Sequence, residues 1–151
     1  MQRFICLLSF GLAVLLLGAP KQAFAQIFPP GSFSIDGFPV MCGPLPVILN
    51  YQLPDVGMNT GQAIILNPNV LASLPTPLKM YWFGHECGHF AVGPDEMSAD
   101  CWAVKTGRAQ GWFLPQDFGN LWVMFQNNPG SLRHPPGPIR WQNMVNCFQG
   151  G

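Results

Sequence analysis

Apolar positions along the chain fall in short blocks separated by Pro and Gly, and the spacing inside each block predicts its element. Residues 47–51 (Val-Ile-Leu-Asn-Tyr) and 63–67 (Ala-Ile-Ile-Leu-Asn) are β-branched runs bounded by turn residues, and both read as strands of a small sheet of two or three. Residues 26–44 hold Pro29-Pro30-Gly31, Gly37, Pro39 and Gly43-Pro44, which predicts an irregular arm with one short extended piece at 32–40. Such an arm is expected to cover the core rather than form it. After a short helical stretch at 68–74, a helix over 77–91 opens at Pro77 and places Leu78, Tyr81, Trp82 and Phe83 on more than one face, the mark of a buried helix. Pro94 and Asp95 start a second helix that runs to about Thr106, with Gly107 in the usual C-terminal position. A third begins near Pro115, carries Leu121, Trp122 and Phe125 at helical spacing, and stops at Asn127-Asn128-Pro129-Gly130. Ile139, Met144, Val145 and Phe148 predict a fourth. The expected fold is α+β, a short sheet packed on about four helices.

The N-terminal pattern adds a compartment. Met1-Gln2-Arg3 is a positive start, Phe4 to Leu17 is apolar apart from Ser9 and Gly11, and Ala23-Phe24-Ala25 has the small-x-small form of a cleavage site. Residues 1–25 therefore read as a signal peptide and 26–151 as a single domain, secreted or periplasmic. The apolar run is shorter than the ~20 residues a spanning helix needs, so no stable membrane anchor is expected after cleavage. In that oxidising setting Cys42, Cys87, Cys101 and Cys147 predict two disulfides. Three pairings are possible. Cys87–Cys101 would tie neighbouring helices and Cys42–Cys147 would join the chain ends, so that pair of bridges is favoured. Charged residues are only 9% of the chain and its formal net charge is +0, which leaves no basic field to hold nucleic acid.

The chemistry concentrates in His85-Glu86-Cys87-Gly88-His89, an H-E-x-x-H motif inside the predicted helix at 77–91. Residues four apart lie on one helical face, so both imidazoles can reach one metal ion while Glu86 addresses the water that ion holds. Chance would produce this motif in about one shuffled chain of this composition per thousand. A catalytic zinc takes a third protein ligand and keeps one position open. Glu96, opening the next helix, is the preferred ligand, with Asp100 at i+4 placed to accept an N–H from a ligand histidine. Asp95 competes, because it matches the third-ligand offset of the H-E-x-x-H-x-x-G-x-x-H pattern, although Val92 stands where that pattern has glycine. Asp100 itself is a further alternative. His134 is the leading candidate to stabilise an oxyanion, ahead of Tyr81 and Tyr51, its plain alternative being a turn residue before Pro135.

The pattern His85-Glu86-Cys87-Gly88-His89 followed by Glu96-Met97-Ser98-Ala99-Asp100 resembles the gluzincin-type zinc peptidases, with H-E-x-x-H and then E-x-x-A-D. Ala99-Asp100-Cys101-Trp102, His134-Pro135-Pro136-Gly137 and Arg140 extend the similarity to small exported proteins of this type, over roughly residues 60–148. The resemblance implies a minimal zincin-like domain with His85, His89 and Glu96 as zinc ligands. It implies Glu86 as general base and acid, Asp100 behind the ligands, and a peptide or protein substrate. Only six residues separate His89 from Glu96, fewer than in the large peptidases, so Gly93-Pro94 must supply a tight turn.

Other features have ordinary readings. Cys87 faces away from both histidines, Gly84 and Gly88 permit close helix packing, and Trp102, Trp112, Trp122 and Trp141 are core or rim aromatics. Arg140 reads as a surface or helix-packing charge. Residues 57–61 could leave the edge of the second strand open to an extended substrate, and the arm at 26–44 could occlude the site. Two other functions stay open: a non-catalytic domain in which zinc only stabilises the fold, and a binding or inhibitory protein on a peptidase scaffold.

Overall fold

Six three-residue strands precede five helices in a computed structural model that describes residues 25–150. The signal-peptide reading of 1–25 lies outside the described residues, apart from Ala25. Strands β1 (Gln26–Phe28), β4 (Val47–Leu49), β5 (Gly57–Asn59) and β6 (Ile64–Leu66) form a mixed sheet in the order β1-β4-β6-β5. β4 and β6 run parallel, and β1 and β5 pair antiparallel on the outside. Strands β2 (Phe33–Ile35) and β3 (Phe38–Val40) make a separate hairpin. Helices α1 (Pro68–Ala72), α2 (Thr76–Val92), α3 (Glu96–Gln110), α4 (Asp117–Phe125) and α5 (Gly137–Gly150) follow.

Helix α2 is apolar around most of its circumference because it separates two cores. On one side Met80, Phe83 and Cys87 pack with Val47, Ile64 and Leu66 of the sheet. On the other, Leu78 and Tyr81 pack with Ala103 and Val104 of α3, Leu121 and Phe125 of α4, and Met144 and Phe148 of α5. A helix buried from two directions needs no single apolar stripe. Gly88 lets α3 press against it: a Cβ there would lie 2.8 Å from Ala99 O and 2.9 Å from Ala99 Cα. Gly93, with φ of 98°, makes the short turn into α3.

Four sequence expectations are corrected. The segment 26–44 is not a cover: β1 is a strand of the sheet, and Ile35, Val40 and Cys42 are buried in the sheet-side core. Residues 57–59 form β5, which covers β6, so the open edge belongs to β5. Helix α3 runs past Gly107 to Gln110 and ends at left-handed Gly111, φ 77°. Gly107 sits inside the helix because a Cβ there would meet Phe113 Cβ at 2.5 Å and Trp112 Cζ3 at 2.7 Å. The disulfides are Cys42–Cys87 and Cys101–Cys147. Cys87 faces the sheet-side core, whereas Cys147 packs beside the helical core, so Cys87 and Cys101 look to opposite sides of the helix pair.

Candidate metal centre

The site forms where α2 meets the first turn of α3. His85 and His89, one turn apart on α2, bring their Nε2 atoms within 3.1 Å of each other. Glu96, at the start of α3, places Oε2 3.4 Å from His85 Nε2 and Oε1 3.5 Å from His89 Nε2. The two distances run to different oxygens of Glu96; with one oxygen as the donor, the three ligand atoms still lie close enough together for one ion to bridge them. His85, His89 and Glu96 are the group whose donor atoms all lie within 4.8 Å of one another. Glu96 Oε2 is buried and accepts no well-directed hydrogen bond, its nearest cation being Arg140 Nη2 at 3.2 Å, which leaves it capacity to ligate a metal.

Each histidine is oriented from behind. His89 Nδ1 faces Gly93 O at 3.2 Å, and His85 Nδ1 faces Asp100 Oδ1 at 2.8 Å. Carbonyl and carboxylate oxygens only accept, so both contacts favour a proton on Nδ1, and a ring that gave up its Nε2 proton would offer that nitrogen's lone pair to a metal. The two competitors of Glu96 are engaged elsewhere. Asp95 is the N-cap of α3, its Oδ2 accepting from Ser98 N at 2.8 Å and Ser98 Oγ at 2.7 Å. Asp100 is fully buried and accepts from Tyr81 OH at 2.6 Å, Arg140 Nε at 2.7 Å and Arg140 Nη2 at 2.7 Å. That bond also takes the Tyr81 hydroxyl away from any role toward an oxyanion.

His134 arrives on the segment between α4 and α5. Its Nε2 is 3.3 Å from Glu96 Oε1, yet it is not in the three-residue donor group. Ser131 shapes its approach: Ser131 Oγ accepts from His134 N at 3.1 Å and lies 3.1 Å from His134 Nδ1. The ring is thus held at the rim of the site, partly in solvent.

Arg140 departs from the sequence reading. It is 3% exposed, its Nη2 reaches Glu96 Oε2 at 3.2 Å as well as Asp100, and its guanidinium lies 5.0 Å from the Phe125 ring centre. One buried cation therefore compensates two carboxylates of the site. A lone Arg in an otherwise apolar and amide-rich helix was the available signal, and its partner 40 residues away could not be read from spacing.

The electrostatics follow from this crowding. Burial lowers the proton affinity of His85, but Asp100 and Glu96 outweigh it and raise its pKa to about 9. Glu96 is held well below the usual carboxylate range, its burial being overcome by His85, His89 and Arg140. Asp100 is lowered against its own burial by Arg140 and His85. Glu86 moves the other way: burial raises it, and the neighbouring histidines offset only part of that.

Comparison of the chain with protein-family models, with curated proteins and with solved structures gives no match in any of the three. The site therefore defines a class by its own residues: an α+β domain, stapled by two disulfides, with a His-His-Glu group that could hold a metal ion.

Proposed function

We propose that this protein is an exported zinc-dependent endopeptidase. The observation that carries the reading is three donors gathered within 4.8 Å together with a buried carboxylate, Glu86, next to His85 in the chain and within electrostatic reach of both histidines and Glu96. A metal that only stabilised the fold would have no use for a carboxylate there. His134, 3.3 Å from Glu96 Oε1 but outside the three-donor group, is read as standing at the rim and leaving one position open. Export is supported by two disulfides and by the N-terminal pattern; no helix among the described residues is long and apolar enough to cross a membrane.

Bound zinc supplies Lewis acidity, lowering the pKa of a coordinated water toward ~7 and polarising a carbonyl. His85, His89 and Glu96 would hold the ion, with Asp100 and Gly93 contacting the Nδ1 side of the two rings. Glu86 accepts a proton at its carboxylate and returns it to the leaving amine, a task for which a burial-raised carboxyl is suited. His134, at the rim 3.3 Å from Glu96 Oε1, would donate from Nε2 to the oxygen that gains negative charge. β5 lies beside Glu86 and is the outermost strand on its side of the sheet, so an extended peptide can pair with its free edge.

The test is zinc content per chain, for the wild type and Glu86→Gln, measured alongside cleavage of an unstructured protein. One zinc in both with turnover only in the wild type is the expected result. One zinc in both and turnover in neither would overturn the peptidase reading in favour of a binding or structural role.

A further inference from the structure

Where the outer strand of the sheet crosses α2, its backbone touches the Glu86 side chain. A Cβ on Gly57 would stand 3.0 Å from Glu86 Cγ, 3.2 Å from Glu86 Oε1 and 3.3 Å from Leu66 Cδ2. Non-bonded carbons rest at about 3.5–4.0 Å, so a Cβ at position 57 would press on Glu86 and Leu66 and require one of them to give by a few tenths of an ångström. Gly57 is not among the glycines of positive φ; the requirement is space, not backbone freedom. Two residues further on, Asn59 Nδ2 donates to Glu86 O at 2.6 Å, and Asn59 Oδ1 accepts from Gly61 N at 2.6 Å. β5 therefore meets Glu86 twice, at its main-chain carbonyl and along its side chain.

We propose that Gly57 is a positioning residue for Glu86: the bare backbone of β5 is the surface on which the Glu86 carboxylate rests, with Asn59 setting the depth of the strand against α2. The strand edge offered to a peptide and the group that moves the proton are then placed by one contact. The functional consequence rests on the peptidase reading; the contact itself does not.

The experiment is a double-mutant cycle on the full chain expressed for export, with Gly57→Ala, Glu86→Ala and the pair. Melting of the metal-free proteins, zinc content, kcat and KM are read together. Gly57→Ala is expected to lower Tm by roughly 5 °C with Glu86 present and by less than half as much in the Glu86→Ala background. It is also expected to cut kcat about tenfold, with KM and one zinc per chain unchanged. Equal losses of Tm in both backgrounds would overturn the proposal by assigning the strain to Leu66, and an unchanged kcat in an active enzyme would overturn it as well. If Gly57→Ala alone does not fold, folding of the double variant supports the proposal and its failure to fold refutes it. A wild type that binds zinc without turnover would sink the peptidase reading, while the melting cycle still decides the contact.

Discussion

Asp100 Oδ1 lies 2.8 Å from His85 Nδ1, on the side of the imidazole away from the nitrogen that faces His89. The two residues come from different helices, and the contact leaves Nε2 as the His85 nitrogen that faces His89 and Glu96. Asp100→Asn keeps the shape but offers a weaker, neutral partner. Zinc affinity is expected to fall about 10–100-fold, measured by competition with a chelator of known affinity. An unchanged affinity would show that packing alone holds the ring.

Arg140 bridges the same carboxylate to Glu96 from inside the protein. Arg140→Met would leave two buried carboxylates without their cation, at a cost of about 3–5 kcal/mol in the metal-free protein. Arg140→Lys should recover only part of this, because one ammonium cannot reproduce the paired Nε and Nη2 contacts to Asp100. Chemical denaturation of both variants checks the order. If lysine matched arginine, the fork geometry would be irrelevant.

The charge pattern gives the metal-free protein a pH dependence with a definite sign. His85 holds its proton more tightly folded than unfolded, its pKa rising from 6.5 to about 9. Its contribution is therefore complete below about pH 6.5 and is lost as pH climbs through about 9. Glu96 and Asp100, both lowered, contribute above the ordinary carboxylate range and lose that contribution as pH falls. Melting temperature should thus decline from pH 6.5 to 9 without metal. Because a metal must displace protons held on His85, and on His89, whose pKa Glu96 also raises, binding at pH 7 should release protons, visible as a dependence of the binding enthalpy on buffer. A melting temperature that rises across this interval would contradict the assignment.

The N-terminal segment carries structural weight through Cys42 and Cys87, which span 45 residues and attach it to α2 next to Glu86. Removing 26–44 takes away an outer strand, the buried Ile35 and Val40, and this bridge. The truncated protein is expected not to fold, as judged by loss of the near-ultraviolet circular dichroism signal, rather than to gain activity. Cys42→Ala with Cys87→Ala should be milder, costing about 2–5 kcal/mol. A folded, more active truncation would restore the idea of an occluding arm.

The strands at 47–49 and 64–66 and the helices α2 to α5 were legible because their signals are local: β-branched runs, helical spacing, and Pro or Gly at the ends. The arm misled for the same reason. Its Pro and Gly content marks turns, but nothing local says that β1 will find β4 or that Ile35 will be buried. Cysteine pairing was misjudged because it depends on which face of α2 and α3 each thiol occupies.

At the site the division falls between spacing and depth. His85, Glu86 and His89 are a one-turn pattern, and the acidic start of α3 after a short turn offered Glu96 with Asp95 and Asp100 as rivals, all readable along the chain. The folded structure gathers Glu96 with the two histidines, while Asp95 caps α3 and Asp100 lies behind His85. It alone supplied Arg140 from 40 residues away and Gly57 from across the sheet, because a buried charge pair and a missing side chain have meaning only once the surrounding elements have closed around them.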